Sequence, residues 1–383
     1  MAEPLRELQT QGVASSVIAV ESIYHPGRGS SQKFPAECIR YPRLPGNFGL
    51  SSAGKFLGSV LLRRVRQLHR SSPIHLLHAH APLPCGHAAA FLSRHLGIPF
   101  VVTIHGLDVF NSCFQHGITA EWRRKASCSV YNSASKVICI SERVQQLLIA
   151  GLGASVESEV VYNGTDPDVF APEVLAPCVE QDKRPTILVV GNLLAVKGHD
   201  LVVRALDRLK NPYSDLSCNI IGEGPDRERL VALARDLGIR DRVQFLGRRT
   251  RAEVAEAMRN CTVFVLPSRY EGLGCVYLEA MACGKPVVAC QGQGIDEIIH
   301  HGRNGWLIPV DDLKQLVQGL QFLLGDAQLR TRIGEAARQT ILSRFTLSHQ
   351  AQDLLKVYWD ASRRPRLGQT RRDPRLERTA CSH

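Results

Sequence analysis

No run in the sequence approaches the roughly 18 uninterrupted apolar residues that a membrane-spanning helix needs. The first residues, Met1 to Thr10, also lack the basic start and apolar stretch of a secretion signal. A cytoplasmic protein is the expectation. A second absence is the CxxC pair, although the chain has 12 cysteines. They are scattered, and Cys139, Cys261 and Cys290 sit at the ends of apolar, strand-like runs. Such cysteines read as reduced core residues, not as disulfide staples or metal ligands. A third absence is aromatic residues interleaved with the basic ones. The formal net charge of +11 implies an acidic partner: nucleic acid, anionic lipid or a phosphorylated small molecule. Without stacking aromatics or a recognition fold, nucleic acid is the weakest of the three. Part of the charge lies in the tail over 362–383, where Arg363, Arg364, Arg366, Arg371, Arg372, Arg375 and Arg378 face only Asp373 and Glu377. With Pro365 and Pro374 among them, these residues read as a disordered basic tail.

The 383 residues, 44% of them hydrophobic, suffice for two cores of about 150 residues each. Short Val/Ile/Leu runs bounded by Gly or Pro recur along the chain: SVIAV, IHLLHAHA, PFVVTIHG and KVICIS, then TILVVG, LSCNIIGEG, VQFLG, TVFVLPS and KPVVACQG. Runs of this kind are parallel strands covered by helices on both faces. The fold class is α/β, doubly wound twice. The first lobe spans 1–170, a Pro-rich and charged linker 171–185, and the second lobe 186–345. A helix over 346–361, with Leu354, Leu355, Tyr358 and Trp359 at helical spacing, is placed to pack back on the first lobe. In residues 55–70, Phe56, Leu57, Val60, Leu61, Val65 and Leu68 also recur at helical spacing, beside Lys55, Arg63, Arg64, Arg66 and Arg70. That pattern fits a core-facing helix with a solvated side, or a surface helix settling on anionic lipid.

Ligands of open parallel sheets bind at the carboxyl ends of the strands. The second lobe opens with VVGNLLAVKGHD: a strand, a turn at Gly191 and Asn192, then Lys197 and Gly198 at a helix start. A cation and free backbone donors are thereby set where a diphosphate can rest. The stronger signal is PSRYEGLGCVYLEAMACGKPVVA over 267–289. Glu271 and Glu279 lie eight positions apart, with Gly272, Leu273 and Gly274 turning into a helix that starts near Cys275. Its first turn offers unpaired N–H groups to phosphate, while one acid accepts from sugar hydroxyls and the other from a ribose diol.

With these motifs in order, the chain resembles the retaining GT-B glycosyltransferases of family 4, the group 1 class. The resemblance covers roughly residues 5–360. It rests on Glu271 and Glu279, on GEGPDRERL from Gly222, and on VQFLG, GQGIDEII, NGWLIP and RFT in the second lobe. In the first lobe HAH, TIHGLD, ICISE and YNGTDPDVF match. The resemblance implies two Rossmann-like lobes facing a cleft. It also implies a nucleotide-diphosphate sugar as donor substrate, no cofactor and no metal. Residue by residue, Lys197 would neutralise the diphosphate, Glu271 would bind sugar hydroxyls, Glu279 the ribose, and His105 would reach the sugar or its phosphate from the opposite lobe. Amides of Leu273, Gly274 and Cys275 would complete the cradle, with Gly191, Asn192, Gly222 and Gly272 lining the donor pocket. The implied product retains anomeric configuration, and the acceptor is a lipid-linked or growing saccharide at the inner membrane face.

Two departures stand out. The family usually has Arg where Asn192 stands, so charge neutralisation leans on Lys197, or on Arg248 or Arg249. Residues 5–20 resemble the family's first helix and second strand, which leaves the first strand and its Gly-rich loop without a counterpart; alternatively, SVIAVESIYHPGRG is itself that strand and loop. A piece truly missing would make a sugar-nucleotide or polysaccharide binder without turnover the competing function. Asp166-Pro167-Asp168 imitates a metal-binding DxD, but follows YNG between the lobes. His78 and His80 share a strand face and read as packed or hydrogen-bonded, and GEGP lacks the third glycine of a dinucleotide fingerprint.

Overall fold

The computed structural model describes residues 2–22, 36–41, 50–109, 118–152, 156–172 and 184–363. Of the basic tail expected at 362–383, Ser362 and Arg363 instead end a helix and the rest, from 364 on, lies outside the described residues, as do most of the linker expected at 171–185 and the HPGRG segment.

The first lobe contains α1 (Ala2–Thr10), β1 (Val17–Ser22), β2 (Ala36–Tyr41), α2 (Leu50–Ser71), β3 (Leu77–His80), α3 (His87–Leu96), β4 (Phe100–Ile104), α4 (Ile118–Ser133), β5 (Lys136–Cys139), α5 (Glu142–Leu152) and β6 (Ser158–Val160). Strands β3 to β6 form a parallel sheet in sequence order, while β1 and β2 pair with each other alone. No ladder joins β1 to β3 among the described residues.

The second lobe contains β7 (Thr186–Val190), α6 (His199–Leu209), β8 (Ser217–Ile221), α7 (Arg227–Asp236), β9 (Val243–Gly247), α8 (Arg251–Asn260), β10 (Val263–Val265), α9 (Cys275–Ala282), β11 (Val287–Cys290), β12 (Trp306–Ile308), α10 (Leu313–Gly325) and α11 (Ala327–Arg344). Its six parallel strands run β12-β11-β10-β7-β8-β9, a doubly wound order with β7 at the switch point. The apolar runs behave as covered strands must: β4, β10 and β11 are buried at every position. Helix α6 buries Leu201, Val202, Val203, Ala205, Leu206 and Leu209 against this sheet. Burying each such Val or Leu contributes about 1.5–3 kcal/mol.

The chain ends its described part with α12 (Leu347–Arg363), which returns to the first lobe. Ala351, Leu354, Val357 and Ala361 form a core with Leu8 of α1, Val101 of β4, Ile138 of β5 and Val161. Trp359 faces outward instead, 58% exposed, with the Arg363 guanidinium 3.8 Å from its ring.

Helix α2 divides the stripe read from its sequence. Leu57, Leu61 and Val65 are buried, whereas Phe56 and Val60 are 49% and 41% exposed. The glycines decide which side packs: a Cβ at Gly58 would come within 2.7 Å of the Phe91 ring on α3. Only the bare backbone of this face fits against α3, so Phe56 and Val60 are turned away.

Candidate functional site

The site forms where the carboxyl ends of the two sheets face each other. On the second-lobe side, β7 leads through Gly191 and Asn192 to a short 3₁₀ turn, Ala195–Lys197. Gly198 then takes a left-handed φ of +70° to start α6, with no room for a side chain against the Pro267 carbonyl. This turn presents Lys197 to the loop before α9, and the ammonium pairs with the Glu271 carboxylate. Both side chains are largely enclosed, 16% and 14% exposed. Arg269 ties the two segments together. Its guanidinium donates to both Asp200 oxygens at 3.0 Å and to Asp311 at 2.7 Å, and its amide donates to the Val196 carbonyl at 2.8 Å.

The loop then turns at Gly274, whose φ of +82° and closeness to the Tyr277 ring demand glycine. The buried Leu273 side chain anchors it from below. The amides of Leu273, Gly274 and Cys275 donate to no acceptor among the described residues, so the start of α9 offers three free donors beside Lys197. Glu279 follows one turn into α9. Burial pushes its carboxyl up to about 7, with the nearby Arg251 guanidinium pulling the other way. Its carboxylate makes no hydrogen bond or ion pair with a described residue. Burial and the Glu279 and Glu271 carboxylates push the Cys275 thiol up to about 11, so it stands there protonated.

Gly191, Asn192 and Gly222 have other tasks. The Gly191 amide donates to Ile221 at 2.9 Å and the Gly222 amide to Gly247 at 2.9 Å, so neither amide is open to phosphate. Gly222 lies against the Gly191 carbonyl, and together they clasp the loops after β7 and β8. Asn192 is exposed at the turn. Arg249 is engaged with Glu253 at 3.3 Å, and the extra cation near the acids is Arg251, whose guanidinium also lies 4.9 Å over Phe170.

From the first lobe, His105 follows β4 and its amide donates to Asp108 at 3.0 Å. The next residue, Gly106 (φ +99°), abuts Gly272 and Tyr270, so His105 stands beside the donor loop. Its Nε2 is 3.1 Å from Nδ1 of His80, one ring donating and the other accepting. His78 stacks behind His80 at 4.5 Å, held by the Tyr358 hydroxyl at 2.6 Å and Thr103 at 2.7 Å. Burial lowers all three imidazoles, His80 to about 4, and keeps them neutral at pH 7; Asp108 opposes the shift at His105.

Two contacts between the lobes carry roles that spacing alone did not reveal. The Ser141 hydroxyl donates to the Gly272 carbonyl at 2.6 Å. Glu297 caps α5 from the other lobe, accepting from the amides of Glu142 at 2.8 Å and Arg143 at 2.6 Å and from the Tyr162 hydroxyl at 2.9 Å. Gln293 accepts from the Glu271 amide at 2.9 Å, which ties the donor loop to the segment bearing Glu297.

The DxD imitation is a turn: Asp166 accepts from the amides of Asp168 at 3.1 Å and Val169 at 3.2 Å. Among the described residues no group of three or more His, Cys, Asp or Glu is placed to hold a metal ion, and no helix is long and apolar enough to cross a membrane.

Comparison with known proteins agrees with the two-lobed α/β fold. Residues 2–169 match the family described as Glycosyltransferase Family 4, and residues 174–340 match Glycosyl transferases group 1. The chain is 30% identical over 349 residues to alpha-D-kanosaminyltransferase of Streptomyces kanamyceticus, covering 85% of this chain and 89% of that protein. It is 31% identical over 244 residues to a GDP-mannose-dependent alpha-(1-6)-phosphatidylinositol monomannoside mannosyltransferase of Mycolicibacterium smegmatis, covering 59% and 64%. Among solved structures, Anabaena HepE in complex with UDP and glucose superposes with a TM-score of 0.74 at 22% identity, over 93% of this chain and 95% of that one. The chain belongs to the family 4, group 1 glycosyltransferases with the GT-B fold.

Proposed function

We propose that the protein transfers a sugar from a nucleoside-diphosphate sugar to a lipid-linked or oligosaccharide acceptor, with retention of anomeric configuration and without a metal. The observation that carries this reading is the Lys197–Glu271 pair beside three free amides at the start of α9, with Glu279 one turn on. Breaking the anomeric bond puts positive charge on the sugar ring and negative charge on the leaving diphosphate. Lys197 and the amides of Leu273, Gly274 and Cys275 meet the negative charge, and their stabilisation grows toward the transition state. Glu271 holds sugar hydroxyls, Glu279 the ribose diol, and neutral His105 donates to the sugar or phosphate from the first lobe. The leaving phosphate itself takes the proton of the acceptor hydroxyl, which then attacks from the same face and retains configuration. The UDP and glucose bound by the Anabaena neighbour, and the phosphatidylinositol mannoside named for the mycobacterial relative, support a nucleotide donor and a lipid-linked acceptor. The exposed basic and apolar face of α2 supports a place for the chain at the cytoplasmic face of an anionic membrane, in cell-envelope or exopolysaccharide synthesis.

The test is release of nucleoside diphosphate from a panel of nucleotide sugars, with and without EDTA, and NMR of the anomeric product. Activity that survives EDTA and is lost in Glu271→Ala with folding intact is expected; a chain that binds no nucleotide sugar defeats the reading. The divided sheet of the first lobe favours a second one, a sugar-nucleotide binder without turnover. Tight binding of a nucleotide sugar with no diphosphate released in the presence of acceptor extracts would select it.

A further inference from the structure

Strand β3 and the end of β4 carry polar residues at alternate positions, His78 and His80 on one and Thr103 and His105 on the other. Successive side chains of a strand point to opposite faces, so these residues share one face of the sheet. In the parallel register His78 stands beside Val101 and His80 beside Thr103. Each imidazole bonds to the side chain two positions beyond its neighbour, His78 to Thr103 at 2.7 Å and His80 to His105 at 3.1 Å. Helix α12 covers the inner part of this face over Val101, and its Tyr358 hydroxyl lies 2.6 Å from Nδ1 of His78. The His80–His105 pair lies at the cleft end.

The bonds of His78 and His80 differ in kind. A hydroxyl donates or accepts, so Tyr358 and Thr103 fit His78 in either tautomer. A bond between two neutral imidazoles fits one arrangement of hydrogens: the donating ring carries its hydrogen on the bonded nitrogen, and the accepting ring carries its own on the other one. Burial keeps both rings neutral at pH 7, with His80 lowered to about 4 and His105 lowered as well. Nε2 of His105 is taken by His80. Its Nδ1 is bonded to no described residue, and the Asp108 carboxylate next in the loop takes the backbone amides of His105 and Val109 instead. Nδ1 is therefore the nitrogen left for substrate. To donate there it must hold the hydrogen, so Nε2 accepts and Nδ1 of His80 donates. His78, stacked on His80 at 4.5 Å, holds that ring in place.

We propose that His80 is a positioning residue for the transfer reaction: its Nδ1–H fixes His105 in the tautomer that presents Nδ1–H to the donor sugar or its phosphate. The direction of this bond rests on the donor role given to His105 under the proposed function.

The experiment joins a spectrum to kinetics. Long-range proton–nitrogen correlation of the full chain labelled with ¹⁵N-histidine, without substrate at pH 7, reads each tautomer, and the signals are assigned by their loss in His80→Asn and His105→Asn. Wild type is expected to carry the hydrogens of His80 and His105 on Nδ1. Release of nucleoside diphosphate from the nucleotide-sugar panel is then compared in His80→Asn and His80→Leu, which are of similar size. The Asn amide replaces the Nδ1–H donor, so His105 keeps its tautomer and kcat stays close to that of wild type. Leu cannot donate; the His105 hydrogen moves to Nε2 and kcat falls about tenfold, the worth of one hydrogen bond, while KM for the nucleotide sugar changes little. A side chain that merely fills space would be replaced by Leu at least as well as by Asn. Wild-type kcat in His80→Leu, an equal loss in both variants, or a wild-type spectrum with the His105 hydrogen on Nε2 would each overturn the assignment. A panel from which wild type releases no diphosphate defeats the proposed function instead, and the spectrum still decides which ring donates.

Discussion

The hydroxyl of Ser141, on the first lobe, donates to the carbonyl of Gly272, on the second, at 2.6 Å in a buried position. Gly272 belongs to the donor loop and Ser141 opens the turn into α5, so one hydrogen bond joins the two halves of the cleft. Glu297 does the same from the opposite direction, lending its carboxylate to the first amides of α5. These contacts tie the loop bearing Glu271 and Gly272 to the first lobe.

Removing this link should open the cleft. Ser141→Ala leaves the Gly272 carbonyl unpaired, at a cost of about 1–3 kcal/mol, and Glu297→Gln weakens a charge-assisted cap of similar worth. The double variant is expected to show a KM for the nucleotide sugar raised about tenfold or more, and a larger radius of gyration by small-angle scattering. Unchanged scattering would mean that the two contacts do not hold the lobes together.

The Lys197–Glu271 pair has a structural and a chemical part that double substitution separates. Lys197→Ala strands a largely buried carboxylate, so a loss of a few kcal/mol of stability is expected, along with a fall in kcat of about 10²–10³. In Lys197→Ala with Glu271→Ala the melting temperature should recover while activity does not. Recovery of both would remove the pair from the chemistry.

Glu279 titrates from about 7, raised by burial. A ribose diol donates to the ionised form, so binding favours loss of the proton. Affinity for a nucleotide sugar, whose own phosphates do not titrate here, should strengthen as pH rises from about 6 to 8, with proton release visible by calorimetry in two buffers. Glu279→Gln should bind more weakly and without this pH dependence; a variant that keeps the dependence points to another group.

His199 starts α6 with both ring nitrogens buried and without a hydrogen-bond partner among the described residues. Burial, aided by Lys197, lowers it to about 4. Because the folded value lies below the usual 6.5, the unfolded chain takes up the proton first, and stability is lost as pH falls from 6.5 toward 4. At pH 5 that loss is about 2 kcal/mol. His199→Leu, of similar volume, is expected to raise the melting temperature, and more at pH 5 than at pH 7. An equal shift at both pH values would contradict the titration.

Much of this was legible in the order of residues. The Val/Ile-rich runs became β4, β7, β10 and β11 because continuous apolar strands have no other place than between helices. Strands β2, AECIRY, and β6, only Ser158–Val160, carry no such signature, since their pairing depends on neighbours in space. The acids at 271 and 279 and Lys197 announced themselves through a glycine turn and helix start. Glu297 did not, because the amides it caps lie 154 and 155 positions away in the sequence. Nor does spacing tell that the amides of Gly191 and Gly222 are occupied, or that Phe56 and Val60 face outward. Gly58 against Phe91 settles the latter.

Among the described residues no ladder joins β1 to β3, and this gives the two lobes different mechanical characters. Five ladders join the six strands of the second lobe into one continuous sheet, a stiff plate. In the first lobe, β1 and β2 pack on α2, and a shift of this unit against the β3–β6 block would break no ladder among the described residues. Compliance is thereby confined to the first lobe; under the proposed function, differently shaped acceptors would be accommodated there while the second lobe keeps its shape.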